Sequence, residues 1–314
     1  MLIKHIFESN VRDYQGKTTI NGEIQSTLEN PETEDFWWLN NGVTVLATYA
    51  AAPGGKELVI HDPEIVNGLQ TSSEIHRYFT ANSNMLQKDT RDVLVRVIVP
   101  DSEEARDRII RATNSQTPIP KASLRATDEV HRQIEEFMKP RNLFYDRRKN
   151  FYKNDGKKPK DIISVPFMSQ CLISVLMQKP DYARARPSTL LDDDESYEKL
   201  FHKNNDLITY FRLSSLGRRI ELHLKKNGRY TVAEINDIKF YVLYAVAVRL
   251  TENIYPGNAA ISTLNEAAIS DDVIERSTIS VFDLYKGLGG NEKVAKGTQL
   301  SQALKDQLRD EVMT

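Results

Sequence analysis

Residues 63–72, with the sequence PEIVNGLQTS, mark the point at which a predicted strand ends and a predicted helix begins. Ile65 and Val66 are β-branched, as is typical of a strand. Apolar residues at helical spacing then predict a helix over residues 69–78. Gly68 lies between the two elements, where it permits a positive φ and lets a ligand approach the backbone closely. This junction predicts a small unit that contains both α and β structure.

The flanking segments extend this unit in both directions. Bulky and polar residues alternate over residues 36–48, which predicts two short strands on either side of Asn40-Asn41-Gly42. Residues 93–99 (VLVRVIV) form the clearest strand in the sequence, and a helix is predicted over residues 101–112. The order strand, helix, strand, helix predicts an α/β unit over residues 1–118.

Residues 119–314 have a different pattern, because apolar residues recur at helical spacing through most of this half. The predicted helical segments are residues 123–138, 161–178, 194–226, 232–250, 271–286 and 296–313. The sequence therefore predicts a mixed α+β fold, with a small α/β unit followed by a mainly helical region.

The composition predicts a folded cytoplasmic protein. The 314 residues include 40% apolar residues, and the formal net charge is -2. This charge argues against a globally basic nucleic-acid binder but leaves room for a local basic patch. The single cysteine, Cys171, lies in an apolar run, and we interpret it as a core thiol. No apolar segment is long enough for a membrane span, and the N-terminus lacks the apolar core of a signal peptide.

Three amide-rich segments are the main functional signal: residues 40–42, 67–71 and 113–117. Each can be explained as a satisfied turn or helix cap. Together they also predict a shared polar pocket suited to a nucleotide or to a nucleic-acid backbone, since Asn, Gln and Thr both donate and accept hydrogen bonds. The predicted ligand-binding residues are Asn40, Asn41, Gly42, Asn67, Gly68, Gln70, Thr71, Asn114 and Gln116.

Residues 121–160 form a basic segment, with twelve Lys and Arg against six Asp and Glu and with interleaved aromatic residues. Phosphate contacts combined with base stacking would use this mixture, whereas a solvated helix face would explain it as well. The predicted phosphate- or nucleic-acid-binding residues are Arg125, Tyr145, Arg147, Arg148, Lys149, Arg184 and Arg186.

Two alternatives to ligand binding remain open. A nuclease or nucleotide hydrolase would need a divalent metal ion as its cofactor, held by carboxylates near the amide pocket. The candidate carboxylates are Asp62, Glu64, Glu74 and the acidic run at residues 192–195. A protein-interaction or toxin-regulating module would instead use the amide segments only as structural turns. The sequence lacks a P-loop, a dinucleotide-binding glycine fingerprint and zinc-ligand spacing.

Several of these motifs resemble the AIPR family, the abortive-infection phage-resistance proteins. Residues 36–44 (FWWLNNGVT) and 63–72 carry the resemblance most specifically. Residues 112–119, 144–149 and 183–188 extend it, so that it covers about residues 5–285. The resemblance implies a role in phage defence. Family members often carry additional sequence before this region, and we expect that this part is absent from this chain.

Residues 67–71 are also distantly similar to the Asp-Gly-Gln-His/Gln-Arg motif of ParB/sulfiredoxin-like modules. Those modules bind nucleotides or DNA, and some hydrolyse nucleotides. In this sequence Asn67 replaces the acid and Thr71 replaces the arginine. The similarity therefore implies binding, while the two replacements put hydrolysis in doubt.

The sequence thus predicts an AIPR-like phage-defence protein that binds DNA, RNA or a nucleotide. The amide pocket would lie in the α/β unit and the basic surface beside it. No membrane partner is expected. A partner defence protein and a homo-oligomer are both compatible with the sequence.

Overall fold

The chain divides into two units, and the division is not a single cut along the sequence. The computed structural model describes residues 4–7, 14–30, 34–114, 128–265 and 268–313. The N-terminal unit contains residues 1–119, 123–127 and 147–156. The helical unit contains residues 120–122, 128–146 and 157–314. Residues 147–156, named the return segment below, thus belong to the N-terminal unit although residues of the helical unit precede and follow them.

Both units contain helices and short strands, numbered along the described part of the chain. The strands are β1 Val43–Leu46, β2 Tyr49–Ala51, β3 Val59–His61, β4 Glu64–Asn67, β5 Val95–Ile98, β6 Phe144–Asp146 and β7 Ile162–Ser164. The α-helices are α1 Thr19–Glu29, α2 Leu69–Ala81, α3 Glu103–Asn114, α4 Glu129–Met138, α5 Phe151–Asn154, α6 Val165–Leu176, α7 Pro180–Ala185, α8 Pro187–Asp192, α9 Asp194–Leu200, α10 Leu207–Asn227, α11 Val232–Thr251, α12 Asn258–Ser262, α13 Asp271–Gly287, α14 Glu292–Lys296 and α15 Thr298–Met313.

A three-stranded sheet organises the N-terminal unit. Its strand order is β4-β1-β5, with β1 antiparallel to β4 and parallel to β5. Strands β2 and β3 form a separate antiparallel pair. Leu46, Val66 and Ile110 form one small core cluster, on which helix α3 packs through Ile110. Helix α1 contributes to a second cluster, which contains Phe36.

The described residues of the helical unit form one continuous core. Helix α11 is buried along most of its length, and α6, α10, α13 and α15 contribute apolar side chains to the same cluster. His131 is also fully buried, and its two ring nitrogens hydrogen-bond the hydroxyls of Tyr145 and Tyr197 at 2.7 and 2.8 Å. Cys171 is fully buried, and burial raises the pKa of its thiol to about 12. Within the described ranges, every helix is too short or too polar to cross a bilayer.

The mixed α+β prediction is confirmed, including the largely helical C-terminal half. The strand predicted before Asn40 is wrong, because Phe36–Trp38 is a 3-10 helix. Of its three aromatic residues only Phe36 is buried, so the segment does not alternate in burial as a strand would. The predicted helix over residues 161–178 begins with strand β7, after which Ser164 caps α6 by accepting a hydrogen bond from the Phe167 N–H. Helix α1 was not predicted.

Candidate functional site

The first two amide segments meet at a pair of glycines. Gly42 and Gly68 have φ values of +69° and +107°. A Cβ atom on Gly68 would lie 2.8 Å from the Gly42 carbonyl oxygen and from the Val43 Cα. A Cβ atom on Gly42 would overlap the carbonyl oxygen of Leu94, just before β5. The backbone therefore approaches itself too closely at Gly42 and Gly68 for either position to hold a side chain. These contacts bring together the start of β1, the start of α2 and the residue before β5.

The third amide segment joins the second through reciprocal hydrogen bonds. The Nδ2 atom of Asn67 donates to the Thr113 carbonyl at 2.6 Å. The Nδ2 atom of Asn114 donates to the carbonyls of Val66 and Ile110, at 3.0 and 2.8 Å. These bonds tie the end of α3 to the end of β4. The two carboxamides thus face one another's main chain, and their amino groups are already engaged.

The remaining predicted amides differ in exposure. Gln70 accepts hydrogen bonds at Oε1 from the Gln15 N–H and from Asn21 Nδ2, both at 3.1 Å. Asn40 donates to the Phe36 carbonyl at 2.9 Å, and Thr71 is buried. Asn41 is exposed and has no hydrogen-bond partner among the described residues. Gln116 lies outside the described residues.

Glu74, which the sequence analysis names only as a candidate metal-binding carboxylate, belongs to a hydrogen-bond network one helical turn after Gln70. Glu74 is fully buried on α2 and accepts hydrogen bonds from Tyr14 Oη at 2.5 Å and Gln25 Nε2 at 2.7 Å. Arg77 lies 3.7 Å from the same carboxylate and donates to the Tyr14 hydroxyl. Burial and the hydrogen bond to Glu74 raise the pKa of Tyr14. Gln70 and Glu74 are four residues apart on a predicted helix and therefore lie on one face of it. This spacing was the sequence signal that could have placed Glu74 next to the amide pocket.

The return segment is attached to this network. Asn154 Nδ2 donates to the Tyr14 carbonyl at 2.9 Å. Arg147 and Arg148 are both buried, and the Arg148 guanidinium lies 3.9 Å from the centroid of the Phe151 ring. Lys149 and Lys153 are exposed. The segment therefore presents lysines to solvent, while its arginines are largely enclosed. Arg125 lies outside the described residues.

The other predicted basic-surface residues belong to the helical unit. Tyr145 is fully buried and bonded to His131. Arg184 donates from Nε to the carboxylate of Asp237 at 2.9 Å and is 3.3 Å from Glu292. Arg186 is exposed and lies 5.4 Å from the centroid of the Tyr182 ring. Tyr145 and Arg184 thus have partners within the helical unit that account for their positions.

The candidate metal-binding carboxylates have other contacts in the structure. Glu64 is 2.5 Å from Arg106, and Asp62 accepts a hydrogen bond from Thr48 Oγ1 at 2.9 Å. Asp193 caps α9 by accepting from the Ser196 N–H. In the part of the chain that the structure describes, no group of three or more His, Cys, Asp or Glu residues could hold a metal ion. The nuclease, nucleotide-hydrolase and interaction-module alternatives are not tested by these contacts and stay predictions.

Comparison with known protein families identifies the family to which these motifs belong. A family model described as AIPR protein matches residues 7–286. The chain therefore belongs to the AIPR family. Membership supports a role in abortive infection and phage defence. Comparison with curated proteins and with solved structures gave no match. The distant similarity to ParB/sulfiredoxin-like modules is not shown by these comparisons and stays a prediction.

Proposed function

We propose that this phage-defence protein binds nucleic acid or a nucleotide through its N-terminal unit. The ligand would be held by the exposed lysines of the return segment and by the first turns of α2. The observation that carries the proposal is the position of the return segment, which belongs to the same unit as the amide motifs. The predicted similarity to ParB/sulfiredoxin-like modules, which bind nucleotides or DNA, favours the same ligand class.

A continuous set of hydrogen bonds connects the return segment with α2. Asn154 bonds the Tyr14 carbonyl, and the Tyr14 hydroxyl bonds Glu74. The next residue, Gln15, donates its N–H to Gln70, one turn before Glu74. The segment that contains Lys149 and Lys153 is thereby fixed beside the N-terminal half of α2.

The chemistry of this region suits phosphate. Lys149 and Lys153 are solvent-exposed ammonium groups that would contact phosphate oxygens. The N–H groups in the first turn of α2 follow Gly68, which has no side chain to cap them. Among the described members of the predicted set, Asn41 is the exposed carboxamide, and we assign it, rather than Asn67 or Asn114, to contact with a sugar or base.

Binding of fluorescently labelled DNA, RNA and nucleotides, measured by anisotropy at about 50 and 200 mM salt, tests the proposal. The affinity for nucleic acid should fall steeply with salt. In the double variant Lys149→Glu/Lys153→Glu the slope of log affinity against log salt should decrease by about one per lost phosphate contact. The matched control is Lys203→Glu/Lys226→Glu, which reverses two exposed charges in the helical unit. Absence of binding to every probe at low salt would exclude the proposal.

A further inference from the structure

The two tryptophans of the chain lie side by side on the surface of the N-terminal unit. Trp37 is 40% exposed and Trp38 is 60% exposed. Their ring centroids are 5.8 Å apart, and the ring planes are inclined at 75°. Large aromatic side chains are usually well buried, because leaving their apolar surface in water forgoes about 25 cal/mol per Å². Two adjacent exposed rings therefore indicate a contact surface.

A well-defined turn holds these rings in place. Phe36, the first residue of the same 3-10 helix, is 2% exposed and packs with Ile24 and Leu28. Asn40 Nδ2 bonds the Phe36 carbonyl at 2.9 Å, and the Trp38 N–H bonds the Asp35 carbonyl at 2.9 Å. The rings are thus attached to an anchored backbone, so little backbone freedom remains to be lost when a ligand stacks on them.

An exposed arginine lies on the strand next to this turn. Leu94 packs against Gly42, and Arg96, two residues further, is the register partner of Thr44 in the parallel pair β1–β5. Arg96 is exposed and has no hydrogen-bond or ion-pair partner among the described residues. It interrupts the apolar run VLVRVIV, which was the sequence signal for it. Strand β1, which follows the aromatic turn in the chain, is therefore paired with a strand that carries an exposed cation, as suits a polyanion.

We infer that the N-terminal unit binds single-stranded nucleic acid, with unpaired bases stacked on Trp37 and Trp38 and a phosphate at Arg96. This inference rests on the proposed function and narrows its ligand class. Stacking on aromatic rings requires bases whose faces are open, which a duplex hides. A strand several nucleotides long has the several bases and phosphates that this set of aromatic and basic groups requires, whereas a single nucleotide has only one base. The exposed carboxylate of Asp35, which directly precedes the aromatic turn, would disfavour phosphate there and leave the rings to the bases.

Intrinsic fluorescence tests the inference directly, because Trp37 and Trp38 are the only tryptophans in the sequence. A thymidine oligonucleotide of about 12 nucleotides should quench their emission, and a duplex of equal length should not. In an anisotropy assay with the labelled oligonucleotide, Trp37→Ala/Trp38→Ala should weaken binding about tenfold to a hundredfold, while Trp38→Phe retains most of the affinity. Arg96→Glu should reduce the salt slope by about one. Tyr255→Ala, which removes a 59% exposed ring in the helical unit, is the matched control.

The possible outcomes separate the inference from the proposed function. Equal binding of single strand and duplex, unchanged in Trp37→Ala/Trp38→Ala but lost in Lys149→Glu/Lys153→Glu, overturns the inference and leaves the proposed function intact. Absence of all nucleic-acid binding overturns both. A dimer in light scattering that Trp38→Phe preserves and Trp38→Ala dissociates, without oligonucleotide quenching, shows an interface between copies and also overturns the inference. Circular dichroism of each variant verifies folding, and the comparison of quenching by single strand and by duplex in the original protein keeps the test decisive if the double variant does not fold.

Discussion

The two units differ in how they bury their apolar side chains. The described part of the helical unit encloses most of them in one core that includes residues from α4 to α15. Among its described residues, the N-terminal unit has two small clusters of three buried residues each, and it exposes more large apolar side chains than the helical unit does, such as Trp38, Leu86 and Val95. Because burial of apolar surface is the main source of stability, the helical unit gains more stabilisation from its core than the N-terminal unit does. The N-terminal unit instead leaves apolar surface available for contacts.

The same contrast is present within single helices. Helix α11 buries an almost unbroken set of apolar residues together with Asp237. Helix α2 buries Leu69 but also Thr71, Ser73 and Glu74. Buried polar groups are costly unless they are hydrogen-bonded, and the partners of Glu74 come from other parts of the N-terminal unit. Structure in α2 therefore depends on specific polar partners, whereas α11 depends on packing.

Equivalent core truncations should give the largest effects and the clearest test of this contrast. Leu243→Ala empties a fully buried position on α11 and should lower the free energy of unfolding by about 3–5 kcal/mol. Leu46→Ala, in a core cluster of three buried residues, should cost about 2–3 kcal/mol because neighbours near the surface relax more easily. Urea unfolding can be followed by circular dichroism for the helices and by tryptophan fluorescence for the N-terminal unit. An equal or greater loss in Leu46→Ala would contradict the comparison.

Two of the positive-φ glycines, Gly68 and Gly228, provide the next test. Gly68→Ala adds strain at φ +107° and places a Cβ 2.8 Å from backbone atoms, so we expect a loss of about 2–4 kcal/mol. Gly228 ends helix α10 at φ +70° with open space around it. Gly228→Ala should therefore cost only about 1 kcal/mol from backbone strain. Thermal unfolding of both variants gives the comparison, and similar losses would show that close approach at Gly68 is unimportant.

The helical unit was the more predictable from sequence, because its long helices have regular apolar spacing. Helices α10, α11 and α13 fall close to the predicted segments. Prediction failed where the pattern was short or ambiguous. Phe and Trp, the residue types at 36–38, are frequent in strands. In the structure, however, only Phe36 is buried and the Asn40 side chain bonds the Phe36 carbonyl, and both features favour a 3-10 helix. Helix α1 has only three apolar residues, Ile20, Ile24 and Leu28, which recur every four residues but are separated by polar residues.

The candidate site was predictable in its segments but not in its partners. The sequence indicates that Asn67 ends a strand and that Asn114 ends a helix. It does not indicate that Asn67 bonds the main chain of that helix or that Asn114 bonds the main chain of that strand. Glu74 was missed as a hydrogen-bonded group because its partners, Tyr14 and Gln25, lie far away in sequence. Arg147 and Arg148 are buried, although the basic composition of residues 121–160 predicts that they lie on an exposed surface. Local sequence gives residue type and periodicity, whereas long-range pairing depends on tertiary packing.

A matched pair of Asn→Asp substitutions separates structural amides from ligand-contacting amides. Asn114→Asp removes two hydrogen bonds and adds a negative charge at the C-terminal end of α3, so it should destabilise the protein by about 1–3 kcal/mol. Asn41→Asp makes the same change at an exposed position and should leave stability within about 0.5 kcal/mol of the original. It should nevertheless weaken nucleic-acid binding, because the added charge repels phosphate. A stable Asn114→Asp variant that loses only binding would reverse these assignments.

The smallest expected effect concerns the pH dependence of the helical unit. Burial raises the pKa of Tyr210 to about 12, and its hydroxyl donates to the Leu200 carbonyl at 3.1 Å. A raised folded-state pKa contributes stability that is complete below the unfolded-state pKa of about 10 and is lost as pH rises toward the folded value. Tyr210→Phe should cost about 1 kcal/mol at neutral pH through the lost hydrogen bond. The original protein loses about 1.4 kcal/mol per pH unit from this group above pH 10, so the two free energies of unfolding should converge near pH 11. Urea unfolding of both proteins between about pH 8 and pH 11 measures the difference, and a gap that stays constant would show that Tyr210 ionises equally in both states.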